Sequence, residues 1–490
     1  MSESARGLGH KVLLAVGPLA FLAALLVPAT SLAPAAARVL GLALWMAIWW
    51  VSEVVPLAAT SLLPIVLLPL AGVSSTREAS APYANELIFL FLAGFLLAAG
   101  LERWRCHERI AYGLLGRVGA GPRRIVLGVM IATGFISMWI SNTATTAMMF
   151  PIALAIGVLF GEGPAGDRGR IALLLGVAYS ATIGGMATLI GTPPNLILAG
   201  AAKELIGAQI DFGRFMLVGL PITLVLLPVT WALLGFLLFR LPAKAEGDAA
   251  SVVADRIRGL GRVVGGERTV FVLFGLTALS WFFREPKALG GFTLPGLTQW
   301  VPGLTDAGVG LIAVILLFTL QGRAPDGNVR PLLTWNEARK IPWDVLLLFG
   351  GGLSLAAAMD SSGLTAWIAG GLEGLRAFPL PIIFLGLAVV IVALGEFASN
   401  VAMAAVMMPL VVSLASAIGQ PPLLLMLVAG LSASLGFALP VATPPNAIVF
   451  GSGMIPMKQM VRAGLVLDVV AIIITVAVLS VVAPLVFGGG

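Results

Sequence analysis

Cysteine occurs once in this 490-residue sequence, at Cys106, and histidine twice, at His10 and His107. One thiol excludes an internal disulfide, and so few Cys and His residues leave no Cys/His metal cluster to build. Charge is scarce too: Asp, Glu, Lys and Arg make up 11% of the chain, against the usual quarter. Two long stretches nearly lack it, since 125–161 has no charged side chain and 377–457 has only Glu396. The remaining charges sit in short loops, so the formal net charge of +6 reads as membrane orientation and not as nucleic-acid binding. No nucleophile–base pair or metal cluster is visible in the apolar segments, which argues against an intramembrane enzyme.

Apolar residues fill the space, at 59% of the chain with a mean hydropathy of +1.04. Many uncharged windows reach the length of a membrane span. The runs do not alternate, which excludes a β-barrel. The fold class is therefore an all-α polytopic membrane protein. Residues 13–35 resemble a signal peptide, but a retained first helix is the expectation, because multispanning chains use their first helix as the signal.

One pattern is stated twice. SMWISNTATTAMMFP at 137–151 returns as GEFASNVAMAAVMMP at 395–409, so Ser141, Asn142 and Pro151 recur 258 positions later as Ser399, Asn400 and Pro409. Each copy is followed by a polar break, GTPPN at 191–195 and ATPPN at 442–446. The repeat begins earlier, because NELIFLFLAGFLLAAGLE (85–102) aligns with WDVLLLFGGGLSLAAAMD (343–360) at the same offset. At the TPPN pair the offset falls to 251, which a shorter connection in the second half would explain. The apolar segments 125–141, 144–160, 379–395 and 401–417 are too short to cross a hydrocarbon core of ~30 Å. They read as two re-entrant helical hairpins with Ser-Asn at the tips. Segments 171–201 and 421–450 are interrupted by Pro193-Pro194 and Pro444-Pro445, and so read as broken helices.

Charge sets the relative orientation of the copies. Residues 103–124 carry six arginines against Glu108, whereas 361–382 carry only Glu373 and Arg376. By the positive-inside rule the first face is cytoplasmic and the second external, which makes an inverted repeat with about eleven crossings and a cytoplasmic N-terminus. The expected organisation is N-terminal helices at 1–84, a first repeat at 85–240, a cytoplasmic linker at 241–268, further helices at 269–342 and a second repeat at 343–490.

Irregular backbone at membrane depth survives only where protein or a water-filled cavity satisfies it. Inverted repeats with broken helices place a substrate site near the midplane. Ser, Thr and Asn can donate to a carboxylate and ligate a hard cation with the same groups. With no Arg or Lys at the centre, bound cations must offset an anion's charge, which points to sodium coupling. Ser and Asn at membrane depth often serve as helix–helix glue, but two matched copies, each with a TPPN break, favour a binding site. Glu396 is an intramembrane carboxylate whose equivalent is Met138; both structural pairing and a proton-coupling role are open to it.

At these residues the chain resembles the divalent anion/sodium symporter family, which includes the bacterial sodium–dicarboxylate transporters. The resemblance runs over LWMAIWWVSEVVPLAATSLLPIVLLPLAGV (44–73), both Ser-Asn hairpins and both TPPN breaks. It implies a homodimer in which a mobile transport domain moves against a scaffold (here 1–84 and 269–342) by an elevator mechanism. Carried over by position, one sodium ion would be held by Ser137, Ser141, Asn142 and Gly191. A second would be held by Ala398, Asn400 and Ala442. Substrate carboxylates would meet Asn142, Thr143, Thr192, Asn400, Thr443 and Pro444, flanked by Pro193, Ser399 and Val401. Two departures fall in the second copy. Val401 stands where the family has Thr, removing a hydrogen bond worth about 1.5–3 kcal/mol to a charged group. Gly395 stands where the family often has Thr and the first copy has Ser137, so it offers no side-chain oxygen.

The function expected is sodium-coupled import of a C4-dicarboxylate such as succinate, malate or fumarate across the inner (plasma) membrane, with Na+ as coupling ion and no organic cofactor. The alternatives are a sulfate or other small-anion transporter, a dicarboxylate exchanger, proton coupling through Glu396, or an anion channel. The expected partners are the anion, the lipid bilayer and a second copy of the chain.

Overall fold

The structure, a computed structural model, describes residues 3–26, 32–116, 121–242, 258–259, 261–263, 265–289, 292–324 and 326–487. Much of the expected linker, including Lys244 and Arg256, lies outside the described residues. The described residues are mostly helical, at 77%. Among the described residues, seven helices are long and apolar enough to cross a membrane: Pro34–Ser52, Thr76–Arg103, Asn142–Phe160, Phe212–Leu238, Trp343–Ser361, Asn400–Ile418 and Met457–Phe487. Shorter apolar helices include Asp306–Thr319, Leu380–Gly395 and Pro422–Ser432. Leu70, Leu224, Val481 and Leu485 leave more than half of their surface exposed, as lipid-facing side chains do.

The first helix, Glu3–Leu26, packs along Pro34–Ser52, with Phe21 against Trp45 at 5.9 Å between ring centroids. The all-helical expectation needs one correction. Lys287–Leu289 pairs antiparallel with Phe292–Leu294, and Gln321–Arg323 with Val329–Pro331. The second ladder turns at Gly327, whose φ of +85° favours glycine, and Asp326 accepts from the Asn328 N–H at 3.0 Å. These polar turns carry no apolar periodicity, so a search for membrane segments passes over them. It also passes over the short helix Cys106–Leu115, which follows Arg105 in the left-handed region and is tied down by an Arg109–Glu267 ion pair.

Helix boundaries repeat at the sequence offset. Pro122–Ser137 and Asn142–Gly157 correspond to Leu380–Gly395 and Asn400–Ile418, with the starts and the turns in register. Pro164 and Pro422, each opening the next helix, still keep the offset of 258. The missing residues therefore do not lie in a connection, as the sequence suggested. They are absent from the second broken helix itself: Pro164–Gly185 has 22 residues before its break, and Pro422–Ser432 has 11. At 1.5 Å per residue these legs are about 33 and 16 Å long. The unwound stretch is correspondingly longer in the second copy, 433–443 against 186–192.

The breaks have a local cause. Consecutive prolines at the start of Pro193–Ile206 and of Pro444–Phe450 have no N–H to pass back, so the preceding helix cannot run on through them. Glycines then allow close packing. A Cβ at Gly184 would collide with the Gly134 backbone, and one at Gly185 would collide with Asn142 Oδ1, so the first hairpin and the first break meet almost backbone to backbone.

Candidate anion and cation site

The two hairpin turns and the two breaks converge on one cavity of about 1220 Å³. The first hairpin contributes Ser141, Asn142 and Thr143, and the first break contributes Thr192 and Pro193. From the second copy come Ser399, Asn400 and Val401, with Ala442, Thr443 and Pro444 from its break. The cavity exceeds the ~300–1,000 Å³ of ordinary ligand pockets, because it continues outward to a charged mouth. That mouth holds Arg103, Arg330 and Lys340 among Glu53, Glu102, Glu337 and Asp344. Arg103 pairs with Glu337, and the Arg330 guanidinium lies 5.3 Å from the Trp104 ring centroid.

Among the described residues, no basic side chain lines the inner end formed by the turns and breaks. Positive potential comes from backbone instead. The N-termini of Asn142–Gly157, Pro193–Ile206 and Asn400–Ile418 all begin at the cavity wall. Each carries the equivalent of about half an elementary charge, so three supply at most about +1.5, which falls short of a dianion's charge and leaves the rest to bound cations. Hydroxyls divide between structure and ligand. Ser141 and Thr443 cap their helices by accepting from Ala144 N and Asn446 N. Thr192 and Ser399 make no capping bond, and Thr143 is exposed to the cavity, which leaves these three hydroxyls to face an anion.

Four of the residues singled out in the sequence lie behind the cavity wall. Ser137, Gly191, Ala398 and Glu396 are buried. Ser137 Oγ lies 2.8 Å from Asn142 Oδ1 and 2.7 Å from the Ala181 carbonyl, a cluster of oxygens suited to a hard monovalent ion. A Cβ at Gly191 would meet the Gly185 backbone, so only glycine fits this turn of the break. In the second copy Asn400 Oδ1 and Ser434 Oγ are buried with no protein partner, and Asn400 Nδ2 reaches the Ser434 carbonyl at 3.4 Å. Unpaired buried oxygens of this kind suit a cation. The donor set of both halves therefore fits sodium, the second despite Gly395. Val401 presents a half-buried methyl surface to the cavity where a hydroxyl would otherwise stand.

Sequence reasoning missed two residues that hold the breaks together. Asn195 Nδ2 donates to the carbonyls of Gly185 (3.0 Å) and Thr188 (2.8 Å). Asn446 Nδ2 does the same to Gly436 (3.2 Å) and Leu439 (3.0 Å). Both are fully buried, and both are the last residue of a TPPN motif. The signal lies in the motif itself, whose closing asparagine recurs in both copies.

The family model described as the sodium:sulfate symporter transmembrane region matches residues 10–487. The chain belongs to this family of divalent anion/sodium symporters. Among its relatives are the sodium-dependent dicarboxylate transporters SdcS of Staphylococcus saprophyticus and of Staphylococcus aureus strain MW2. Each is 38% identical, over 98% of this chain and 92% of the relative. In three dimensions this symporter-family chain resembles the Alcanivorax borkumensis YdaH transporter, with a TM-score of 0.56 at 16% identity over 91% of this chain and 99% of that one. It also resembles Neisseria gonorrhoeae MtrF, with a TM-score of 0.57 at 14% identity over 82% of each chain. Those two likenesses concern the fold alone. As a divalent anion/sodium symporter the protein is a membrane transporter and not an enzyme.

Proposed function

We propose that the chain imports C4-dicarboxylates such as succinate, malate or fumarate, coupled to sodium, by an elevator form of alternating access. The observation that carries this reading is the inner end of the cavity: three helix N-termini and free hydroxyls, no basic side chain, and flanking clusters of buried oxygens. An anion bound there needs cations beside it, because an uncompensated buried charge is costly. The relatives named for sodium-dependent dicarboxylate transport support the same cargo and ion. The substrate carboxylates would meet Asn142, Thr143, Thr192, Ser399, Asn400 and Thr443. The ions would sit at Ser137, Ser141, Asn142 and Gly191, and at Ala398, Asn400 and Ala442.

The topology proposed with it is an inverted repeat of about eleven crossings, with re-entrant hairpins at Pro122–Gly157 and Leu380–Ile418 and a cytoplasmic N-terminus in the plasma membrane. The entering arms Pro122–Ser137 and Leu380–Gly395, of 16 residues and about 24 Å, support re-entry because they fall short of a ~30 Å core. The returning arms Asn142–Phe160 and Asn400–Ile418 reach spanning length, so the sequence expectation that all four are too short holds for the first arms alone. The cavity mouth carries Arg103, Arg330 and Lys340, which the positive-inside rule assigns to the cytoplasm, so the structure is read as inward-facing. The working unit is a homodimer.

A panel of labelled anions tests the reading, with purified protein in liposomes and sodium or potassium gradients. Succinate uptake that accumulates only under an inward sodium gradient is expected. Uptake indifferent to sodium would remove the symport mechanism, a requirement for internal dicarboxylate would establish exchange, and preference for sulfate would reassign the cargo.

A further inference from the structure

The two breaks are pinned to their hairpins by different chemistry. In the first copy, the N–H groups of Met186 and Ala187 bond back to the carbonyls of Ile183 (3.2 Å) and Gly184 (3.0 Å). The Thr188 hydroxyl then donates to the Met138 carbonyl in the hairpin turn, at 2.5 Å. That junction is neutral. The equivalent residues of the second copy are Phe437, Ala438 and Leu439, in the longer unwound stretch. Their N–H groups go to carboxylates. Ala438 and Leu439 donate to the two oxygens of Glu396, at 2.9 and 2.7 Å, and Phe437 donates to Asp468 Oδ1 at 3.1 Å.

Glu396 occupies the position of Met138, and Asp468 comes from the last helix, Met457–Phe487. Both are buried, at 6% and 5% exposure. One turn before Asp468 is Gly464, where a Cβ would collide with Phe437 O and Ala438 Cα, so the last helix lies directly on the unwound segment. Asp468 neighbours Glu396, since Phe437 N–H donates to the one and Ala438 N–H to the other, and its second oxygen is buried without a partner. Tyr179 of the first broken helix packs edge-on to Phe437 at 5.3 Å, with its hydroxyl also unpartnered. Buried carboxylates are expensive to keep, and the first copy makes the same junction without one. The position of the pair gives it a use. A Cβ at Gly436 would lie 3.8 Å from Glu396 Oε1, 3.9 Å from Asn400 Oδ1 and 3.4 Å from the Ala442 Cβ. The carboxylate thus adjoins the proposed ligands of the second ion, at the site where Gly395 supplies no side-chain oxygen.

We propose that Glu396 and Asp468 are positioning residues of the second sodium site: both fix the path of 436–439, and Glu396 places a negative charge beside Asn400 and Ala442. The proposal rests on the reading of Asn400 and Ala442 as ion ligands. The charge compensates for the oxygen missing at Gly395, and the brace holds a break whose first leg is half the length of its counterpart.

The test uses the full chain purified in detergent, without dicarboxylate. Thermal unfolding is followed against sodium chloride, with choline chloride holding ionic strength constant. Glu396→Gln is expected to raise the sodium concentration for half-maximal stabilisation about tenfold, equivalent to about 1.4 kcal/mol. In liposomes its succinate KM at saturating sodium should stay within about threefold of wild type. Asp468→Asn keeps an oxygen for the Phe437 N–H and should shift the midpoint in the same direction by less. A Glu396→Gln protein that melts earlier but keeps the wild-type sodium midpoint would reduce the carboxylate to a structural role and overturn the proposal. If that variant does not fold, Asp468→Asn decides alone, and an unchanged midpoint overturns it. A wild-type chain with neither sodium stabilisation nor sodium-driven uptake would instead refute the reading of Asn400 and Ala442, and this inference with it.

Discussion

Replacing Asn195 with alanine should cripple the first ion site without touching a residue that lines the cavity. Asn195 is fully buried, and its amide nitrogen bridges the carbonyls of Gly185 and Thr188 across the break. The Gly185 carbonyl, at the last residue of its helix, loses its partner, whereas the Thr188 carbonyl keeps the Gly191 N–H at 3.4 Å. The orphaned acceptor should cost about 1–3 kcal/mol. That is a sizeable fraction of the 5–15 kcal/mol that ordinarily holds a protein folded, but the loss is local. It falls on the backbone that carries Gly191 and that faces Asn142 across Gly185. The expected result is a folded protein whose half-maximal sodium concentration rises at least about tenfold, measured by sodium-dependent thermal stabilisation and then by sodium-driven succinate uptake. Asn195→Asp sharpens the test, because a carboxylate would face two carbonyls with no proton to give and should be worse than alanine. If Asn195→Ala keeps the wild-type sodium dependence, or if Asp is tolerated better than Ala, the bridging amide is not what holds the site.

Val401→Thr restores a hydroxyl to the cavity wall and should tighten dicarboxylate binding by about 1.5–3 kcal/mol, read as a lower succinate KM; an unchanged substrate profile would mean that position 401 does not select cargo. Asn142→Ala removes a side chain shared by the anion and the first ion and should abolish uptake in liposomes, and wild-type rates would remove the site assignment. Asp306→Ala should destabilise the fold by about 1–3 kcal/mol, measured as thermal unfolding in detergent, because Asp306 accepts from Arg284 Nε at 2.5 Å and from Phe212 N at 3.0 Å; its loss leaves the buried Phe212 N–H unpaired while Arg284 keeps its ion pair with Glu285. The Cys106 thiol, at the start of the short helix that follows Arg105, is pushed up to about 12, first by burial and then by the charge of Glu267. Its thiolate is scarce until the pH approaches that value, so maleimide labelling of the native protein at pH 7–8 should be slow and should become fast on denaturation.

The resemblance between the two halves was legible because it is written in residue types that membranes disfavour. Ser-Asn and Thr-Pro-Pro-Asn stand out against apolar sequence, and their spacing placed the turns and breaks where the structure has them, with helices beginning at Asn142, Pro193, Asn400 and Pro444. The offset was legible as well, but not its location. A drop from 258 to 251 says that seven residues are missing somewhere between Pro409 and Thr443. Only the helix boundaries show that the loss falls within the broken helix. What the sequence could not show was contact between distant segments. Asp468 lies in an unremarkable apolar helix, 72 positions after Glu396, and no motif joins the two.

This difference explains why the symmetric reading of the site is incomplete. A shorter first leg and a longer unwound stretch release N–H groups that the first copy keeps within its own turn. Backbone donors released at membrane depth must find acceptors. Glu396 and Asp468 supply them, and in the proposed reading Glu396 also brings charge to the half of the site that is poorest in side-chain oxygen. The loss at Gly395, the shortened helix and the buried carboxylates are therefore one linked change and not three separate departures from the first copy. That linkage makes a specific demand: Gly395→Ser, which returns the missing hydroxyl, should restore part of the sodium affinity lost in Glu396→Gln. Sodium midpoints for the two single variants and the double variant would form a closed cycle. Strict additivity in that cycle would mean that the hydroxyl and the carboxylate serve the ion independently, and the linkage would fail.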